Sequence, residues 1–196
     1  MTRTIGLLLF PGVEELDAVG PWEMLALWTQ YFPDDGYTAF TFSLDGGPIK
    51  CAKGLTIEAQ YSFDTAPRRD VLIFPGGQGT RPMLADETML AWVRAQRAAT
   101  PLMTSVCTGS LVYAAAGLLA GRAATTHWMS LDRLAELDPT IDVRSEDRFV
   151  DDGDVITSSG VSAGIDMALH LIQRLASADR AREVRRLAQY DPRPPV

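Results

Sequence analysis

The sequence predicts an α/β fold: a single domain with a largely parallel sheet flanked by helices on both faces. Apolar runs of strand length alternate along the chain with segments of helical period, which is the pattern of such folds. Several of the runs are apolar throughout, as in parallel strands that are buried on both faces. The 196 residues contain no repeat, linker or low-complexity block, and a chain of this length is typical of one domain.

The predicted strands are apolar runs that end at proline, glycine or polar turns. We expect them at residues 5–10, 37–44, 71–74, 102–106 and 123–126. Two turns add hairpins to this set. The turn at 45–48 leads into a hairpin arm at 49–57, and the turn at 151–153 joins short strands at 149–150 and 155–156.

The predicted helices are segments in which apolar side chains recur every three or four residues. The first opens at Pro21, because proline is favoured at a first helical position, and it places Trp22, Leu25 and Trp28 at helical spacing. The other helices are expected at residues 86–98, 110–121, 131–137, 162–175 and 178–189.

The composition excludes several classes of partner and ligand. With 18 basic and 25 acidic side chains the net charge is −7, which argues against a nucleic-acid partner. The longest nearly apolar stretch, residues 111–120, is too short to span a bilayer, so no membrane partner is expected. Two cysteines exclude a disulfide scaffold and favour the cytoplasm. Two histidines without ligand spacing argue against a metal site.

The strongest local signal is the Ser-Val-Cys-Thr-Gly segment at residues 105–109, where a buried strand meets a helix with almost no loop. In α/β sheets the ligand binds beyond the carboxyl ends of the strands. A strand-turn-helix elbow would hold Cys107 in a strained turn at a helix N-terminus, and this position is expected to lower its thiol pKa. The alternative is a small buried residue in a packed junction.

Three other segments follow strand ends. The Pro-Gly-Gly-Gln-Gly segment at 75–79 either directs N–H groups at a ligand, as an oxyanion hole needs, or forms a tight turn only. Asp17 can share a proton with Cys107, or it caps the helix. His127 is a candidate base beside the thiol or a structural histidine. Trp22, Trp128 and Phe149 are candidates to shape an apolar pocket.

These segments resemble the ThiJ/PfpI superfamily, which has the class I glutamine amidotransferase-like fold, a flavodoxin-like sandwich. The resemblance covers nearly the whole chain and predicts a domain at residues 1–190, followed by a proline-rich, extended tail at 191–196. It rests on four strings: IGLLLFPGVEELDAVGPWE, IFPGGQGT, TSVCTGSLVYAAAGLLAGRAATTHW and GVSAGIDMALHL. Within the superfamily the chain most resembles the isocyanide (isonitrile) hydratases.

The resemblance implies roles for individual residues. Cys107 would be the nucleophile and Asp17 its acid/base partner, in a cofactor-independent hydration of a small-molecule isocyanide to its N-formamide. Thr108 and the turn at Gly77 would line the pocket, and the backbone at residues 160–161 would face the sulfur. The resemblance also implies a homodimer. Many relatives in the protease and glyoxalase branches carry glutamate where this chain has Asp17, which makes their activities less expected here.

Three other functions stay open at this point. Ligand-sensing domains of some transcription regulators carry nearly the same strings, so a non-catalytic binding module is one alternative. Such regulators need a helix-turn-helix unit, and we expect none in this chain. A cysteine-dependent glyoxalase or deglycase is a second alternative and usually needs a histidine beside the thiol. A redox sensor, in which the thiol is oxidised to sulfenic or sulfinic acid, is the third.

Overall fold

A computed structural model of the chain describes residues 2–193 and contains a central seven-stranded sheet with two small sheets beside it. The strands are short, and those in the middle of the central sheet are largely buried. They are β1 (Arg3–Leu8), β2 (Tyr37–Ser43), β3 (Pro48–Lys50), β4 (Thr56–Glu58), β5 (Tyr61–Ser62), β6 (Val71–Phe74), β7 (Leu102–Val106), β8 (Ala123–Ala124), β9 (Asp142–Val143), β10 (Phe149–Asp152) and β11 (Val155–Ser158).

Within residues 2–193 seven α-helices flank the sheet, and one group of them, α1, α6 and α7, packs together. The helices are α1 (Glu15–Tyr31), α2 (Thr80–Met83), α3 (Glu87–Ala99), α4 (Gly109–Ala115), α5 (Leu131–Leu137), α6 (Ala163–Leu175) and α7 (Ala178–Leu187). Within the described residues no helix is both long and apolar enough to cross a membrane.

The central sheet runs in the order β10-β11-β7-β6-β1-β2-β5, and all of its neighbours are parallel except the β10–β11 hairpin. The predicted α/β class is therefore confirmed. The chain leaves β1 toward β2 on one side and later continues through β6 and β7 on the other. This reversal of strand order places the ligand-binding edge beyond the carboxyl ends of β1, β6 and β7.

The first helix begins earlier than predicted. It starts at Glu15 rather than Pro21, and Pro21 lies inside it. Glu15 and Asp17 both fall in the first turn, where negative charge suits the helix dipole. Pro21 cannot donate to the carbonyl four residues earlier. It packs against Gly164 of α6 instead, where an added Cβ would lie 3.0 Å from the proline Cγ. Asp17 consequently belongs to the helix and not to a preceding loop.

The helix predicted at 110–121 is also shorter in the structure. It ends at Ala115, because Gly117 adopts a left-handed conformation with φ of 80°, which is a common way to end a helix. The strand predicted at 123–126 is only Ala123–Ala124 and pairs with β9 outside the main sheet. The arm at 49–57 forms the separate β3–β4 hairpin. Of the predicted tail, residues 191–193 have no regular structure and 194–196 lie outside the described residues.

Candidate active site

Cys107 sits in a strained elbow between β7 and α4. Its φ of 56° lies in the left-handed region, which non-glycine residues seldom adopt. The turn is tight because Gly109 lies two residues further on, where a side chain would collide with the carbonyl oxygen of Phe74. The predicted strand-turn-helix elbow is therefore present, and such strain persists only where the surroundings hold it.

Hydrogen bonds to its N–H and to its carbonyl oxygen hold the backbone of Cys107. Its N–H donates to the carbonyl oxygens of Ser158, at 3.0 Å, and Ser159, at 3.2 Å, where β11 ends. Its carbonyl oxygen accepts from the hydroxyl of Thr126 at 2.9 Å and from that of Ser110 at 3.0 Å. The side chain is left at the carboxyl edge of the sheet, and only 6% of the residue is exposed.

Asp17 contacts this thiol from the first turn of α1 and is fully buried, with 0% exposure. Its carboxyl group lies close enough to the Cys107 side chain that each group shifts the pKa of the other. One oxygen, Oδ2, accepts from the N–H of Gly76 at 3.0 Å, and the other, Oδ1, accepts from the N–H of Val161 at 3.1 Å. Asp17 does not cap the helix, since the N-cap position is Glu14.

Burial changes the proton affinity of both groups. It raises the pKa of Asp17 to about 7, although hydrogen bonds from the thiol and from the two backbone N–H groups act in the other direction. Burial, followed by the charge of Asp17, raises the pKa of the Cys107 thiol to about 12. The N–H groups of Thr108 and Val161 partly oppose this rise. The direction is opposite to the lowered thiol pKa expected from a helix N-terminus, because burial and the carboxylate outweigh it.

The glycine turn at 75–79 supports these groups from the end of β6. At Gly76 an added Cβ would lie 2.6 Å from the Thr108 nitrogen and 2.8 Å from Asp17 Oδ2, so only glycine fits between them. The N–H of Gly77 donates to the Thr108 hydroxyl at 2.9 Å, and the Thr80 hydroxyl donates to the same oxygen at 3.0 Å. Both glycine N–H groups thus have protein acceptors, and a role for Gly77 in binding an oxyanion stays a prediction.

Val161 is the second strained residue beside the sulfur. Its φ is 52°, which is a genuine outlier for a β-branched side chain. This conformation directs its N–H at Asp17 Oδ1, and the same N–H partly opposes the rise of the Cys107 pKa. Of the backbone at residues 160–161, which the family resemblance placed near the sulfur, the N–H of Val161 thus binds Asp17, while Gly160 packs against His127.

His127 lies behind this segment. Its ring packs against Gly160, where any side chain would collide with the ring, and its Nδ1 accepts from the N–H of Met129 at 3.3 Å. A catalytic role for His127 beside the thiol stays a prediction. No cluster of three or more metal-ligating side chains occurs in residues 2–193.

A buried cysteine at a strand-to-helix elbow, paired with an acid from the first helix, can be compared with known families. The sequence profile of the DJ-1/PfpI family matches residues 3–174. The chain belongs to the DJ-1/PfpI family. The isonitrile hydratase of Pseudomonas putida is 42% identical over 195 residues, which are 100% of this chain and 82% of that protein.

Other DJ-1/PfpI relatives include regulators and solved structures. The HTH-type transcriptional regulator CdhR of Pseudomonas aeruginosa is 33% identical over 88% of this chain, which spans 50% of the regulator's length. A ThiJ/PfpI family protein from Pseudomonas syringae superposes with a TM-score of 0.88 at 34% identity, over 100% of this chain and 78% of that one. Drosophila melanogaster DJ-1beta shares the fold. It superposes with a TM-score of 0.83 at 22% identity, over 97% of this chain and 100% of that one.

One residue of the candidate site, Gly76, was not singled out from the sequence. Gly77 was the predicted pocket residue, yet the N–H on Asp17 comes from Gly76. Both glycines stand in the same segment, and spacing alone does not separate them. Of the three candidate pocket aromatics, Trp128 lines a cavity beside Gly160, while Trp22 and Phe149 line other cavities.

Proposed function

We propose that this DJ-1/PfpI protein hydrates isocyanides, R–N≡C, to N-formamides, with Cys107 as nucleophile and Asp17 as acid/base partner. The observation that carries the proposal is the fully buried Asp17 carboxyl group, which is held by the N–H groups of Gly76 and Val161 close enough to the Cys107 thiol for each to shift the pKa of the other. A carboxyl group with a pKa of about 7 exchanges protons readily at neutral pH. The 42% identity to an isonitrile hydratase supports the choice of substrate class.

The first step makes the nucleophile. With both groups at rest, Asp17 is a carboxylate and Cys107 a thiol above about pH 7. The thiol proton passes to the carboxylate, which leaves a thiolate beside a neutral carboxylic acid. This transfer removes the negative charge that raises the thiol pKa. The N–H groups of Thr108 and Val161 stabilise the new sulfur anion.

The second step is addition. The thiolate attacks the terminal carbon of the isocyanide, and a carbon–sulfur bond forms. The electron pair that results on this carbon takes the proton held by Asp17. The product is a covalent thioimidate, R–N=CH–S–Cys107, and Asp17 is again a carboxylate.

Hydration then completes the cycle. The Asp17 carboxylate takes a proton from water as the hydroxide adds to the thioimidate carbon, and this proton moves to the substrate nitrogen. When the carbon–sulfur bond breaks, the hydroxyl oxygen becomes the formyl oxygen and its proton returns through Asp17 to the sulfur. The sum is one isocyanide plus one water to one formamide, with both residues restored and no cofactor needed.

Two further properties belong to the same proposal. The protein acts as a homodimer, as the family resemblance implies. It acts in the cytoplasm, where a reducing environment suits the two cysteines, both of which are unpaired and buried.

The test is formamide formation by the purified protein, with phenyl isocyanide as substrate. Wild-type protein is expected to turn over, and Cys107→Ala and Cys107→Ser are expected to lose activity. Cys51→Ala is the matched control, because Cys51 is also buried and unpaired but is not part of the Asp17 pair. Full turnover by Cys107→Ala would rule out the proposed mechanism.

A second candidate, a non-catalytic ligand-binding module, is supported by the 33% identity to the regulator CdhR. It predicts saturable binding of a small ligand with no turnover, unchanged when Cys107 is alkylated. A glyoxalase or deglycase predicts turnover of methylglyoxal in the same assay. Parallel measurements with phenyl isocyanide and methylglyoxal therefore separate the three functions.

A further inference from the structure

We propose that Trp128 is a specificity-determining residue, which stacks on the R group of aromatic isocyanides beside Cys107. The identity of the substrate rests on the proposed function. The place of the R group rests on the geometry of one cavity.

The segment that carries Trp128 is fixed to the reactive centre. Residues 128–130 form one turn of 3-10 helix directly after His127. The N–H of Ser130 donates to the His127 carbonyl oxygen at 2.7 Å, and the His127 ring accepts from the N–H of Met129. The same ring packs on Gly160, the neighbour of Val161. The position of Trp128 is thus tied to the backbone that contacts the sulfur.

A cavity of about 350 Å³ lies between this turn and the loop at residues 145–148. Thr126, Ser159 and Gly160 also line it. The first two bind the backbone of Cys107 directly, through the Thr126 hydroxyl at 2.9 Å and the Ser159 carbonyl oxygen at 3.2 Å. Two residues that line the cavity therefore contact the backbone of Cys107, and the cavity adjoins the elbow that carries the sulfur. A cavity of about 150 Å³ is enough to hold benzene, so a substituted ring fits here.

Trp128 is the large aromatic surface that this cavity offers. The opposite wall is polar and charged, with Glu146, Asp147 and Arg148. Trp128 is 73% exposed, so its indole face is open to a ligand and gains most from being covered. An isocyanide with its terminal carbon directed at Cys107 extends its R group away from the sulfur. A flat aromatic R group is the one that stacks on the indole.

Met129 provides a matched control. It is the next residue in the same turn and is 72% exposed, but it does not line the cavity. A general effect of removing an exposed apolar side chain from this turn would appear equally in Trp128→Ala and Met129→Ala. Stacking on the substrate would appear only at Trp128, and Trp128→Phe would restore most of it.

The experiment compares kcat/KM for phenyl isocyanide and ethyl isocyanide. Trp128→Ala is expected to lower the phenyl-to-ethyl ratio about 3- to 10-fold, which is the range of one aromatic pair. Met129→Ala should leave the ratio unchanged. A second readout does not need hydration: alkylation of Cys107 by benzyl bromide relative to iodoacetamide should slow in Trp128→Ala by a similar ratio. Absence of hydration together with a slowed benzylation would refute the proposed function and support this role of Trp128.

Three results would overturn the inference. One is a phenyl-to-ethyl ratio and a benzylation rate that do not change in Trp128→Ala. The second is an equal loss in Met129→Ala. The third is a change of the molar mass in solution in Trp128→Ala, which would assign the side chain to a subunit contact.

Discussion

The buried carboxyl group of Asp17 makes a prediction about stability that does not depend on the reaction. The pKa of Asp17 rises from its ordinary value of 3.8 to about 7 because the folded protein buries it. The folded state therefore holds a proton that the unfolded chain has released between these two pH values. The contribution of Asp17 to stability falls as the pH rises through this window, because at this group the native state binds more protons than the unfolded chain.

The size of the effect follows from the shift. One pKa unit corresponds to about 1.4 kcal/mol, so ionised Asp17 lowers the free energy of unfolding by about 4 kcal/mol above pH 7. Asp17→Asn removes this charge, but an amide has only one acceptor oxygen for the N–H groups of Gly76 and Val161. The N–H left without an acceptor costs about 1–3 kcal/mol. The variant should be less stable than wild type at pH 4 and more stable by about 1–3 kcal/mol at pH 8.

Urea denaturation at half-unit steps from pH 4 to pH 8 measures this difference. Asp34→Asn is the control, because Asp34 is an exposed carboxyl group on the surface. A difference between Asp17→Asn and wild type that stays constant over the whole range would refute the reasoning. It would mean that folding does not change the proton affinity of Asp17.

Three further predictions concern the site. The kcat/KM for isocyanide hydration should fall about tenfold per pH unit below pH 7, since protonated Asp17 cannot accept the thiol proton. Asp17→Asn should lose about 100- to 10,000-fold in activity, and its remaining kcat/KM should no longer fall below pH 7. A fall that persists in this variant would assign the pH dependence to another group. Gly76→Ala should abolish hydration and lower the melting temperature, because its Cβ would lie 2.6 Å from the Thr108 nitrogen. Gly47→Ala should be tolerated, because the atom nearest to its Cβ would be 3.5 Å away. Equal melting temperatures of the two variants would contradict the close contact described at Gly76. Asp17→Asn should speed the alkylation of Cys107 by iodoacetamide at pH 8, since it removes a charge that raises the thiol pKa before substrate binds. A slower reaction would contradict the raised thiol pKa of the resting protein.

The sheet could be predicted from the sequence because its strands are continuous apolar runs. The β6 and β7 segments, Val71–Phe74 and Leu102–Val106, match the predicted bounds. The start of α1 could not be predicted, because proline is favoured at a helix start and Pro21 therefore indicated one. Pro21 instead lies inside the helix and packs against Gly164, a contact that only the folded structure shows. Where the local sequence preference for a helix or strand boundary disagrees with the tertiary contacts, the tertiary contacts determine where the element begins and ends.

The elbow at Cys107 was predictable, but the proton affinity of its thiol was not. A helix N-terminus is visible in the sequence and argues for a lowered pKa. Burial and the approach of Asp17 from 90 residues away act in the opposite direction, and they depend on the folded structure. The strained backbone at Val161 has no signal in its own residue type, so only the family resemblance pointed to it.

The most direct test of the central claim is the mass of the intact protein during the first turnover. Wild-type protein mixed with phenyl isocyanide and quenched in acid should gain the mass of one isocyanide, located on the peptide that contains Cys107. This adduct should decay as the formamide appears. Formamide that accumulates while Cys107 stays unmodified at every time point would contradict a covalent thioimidate on this sulfur.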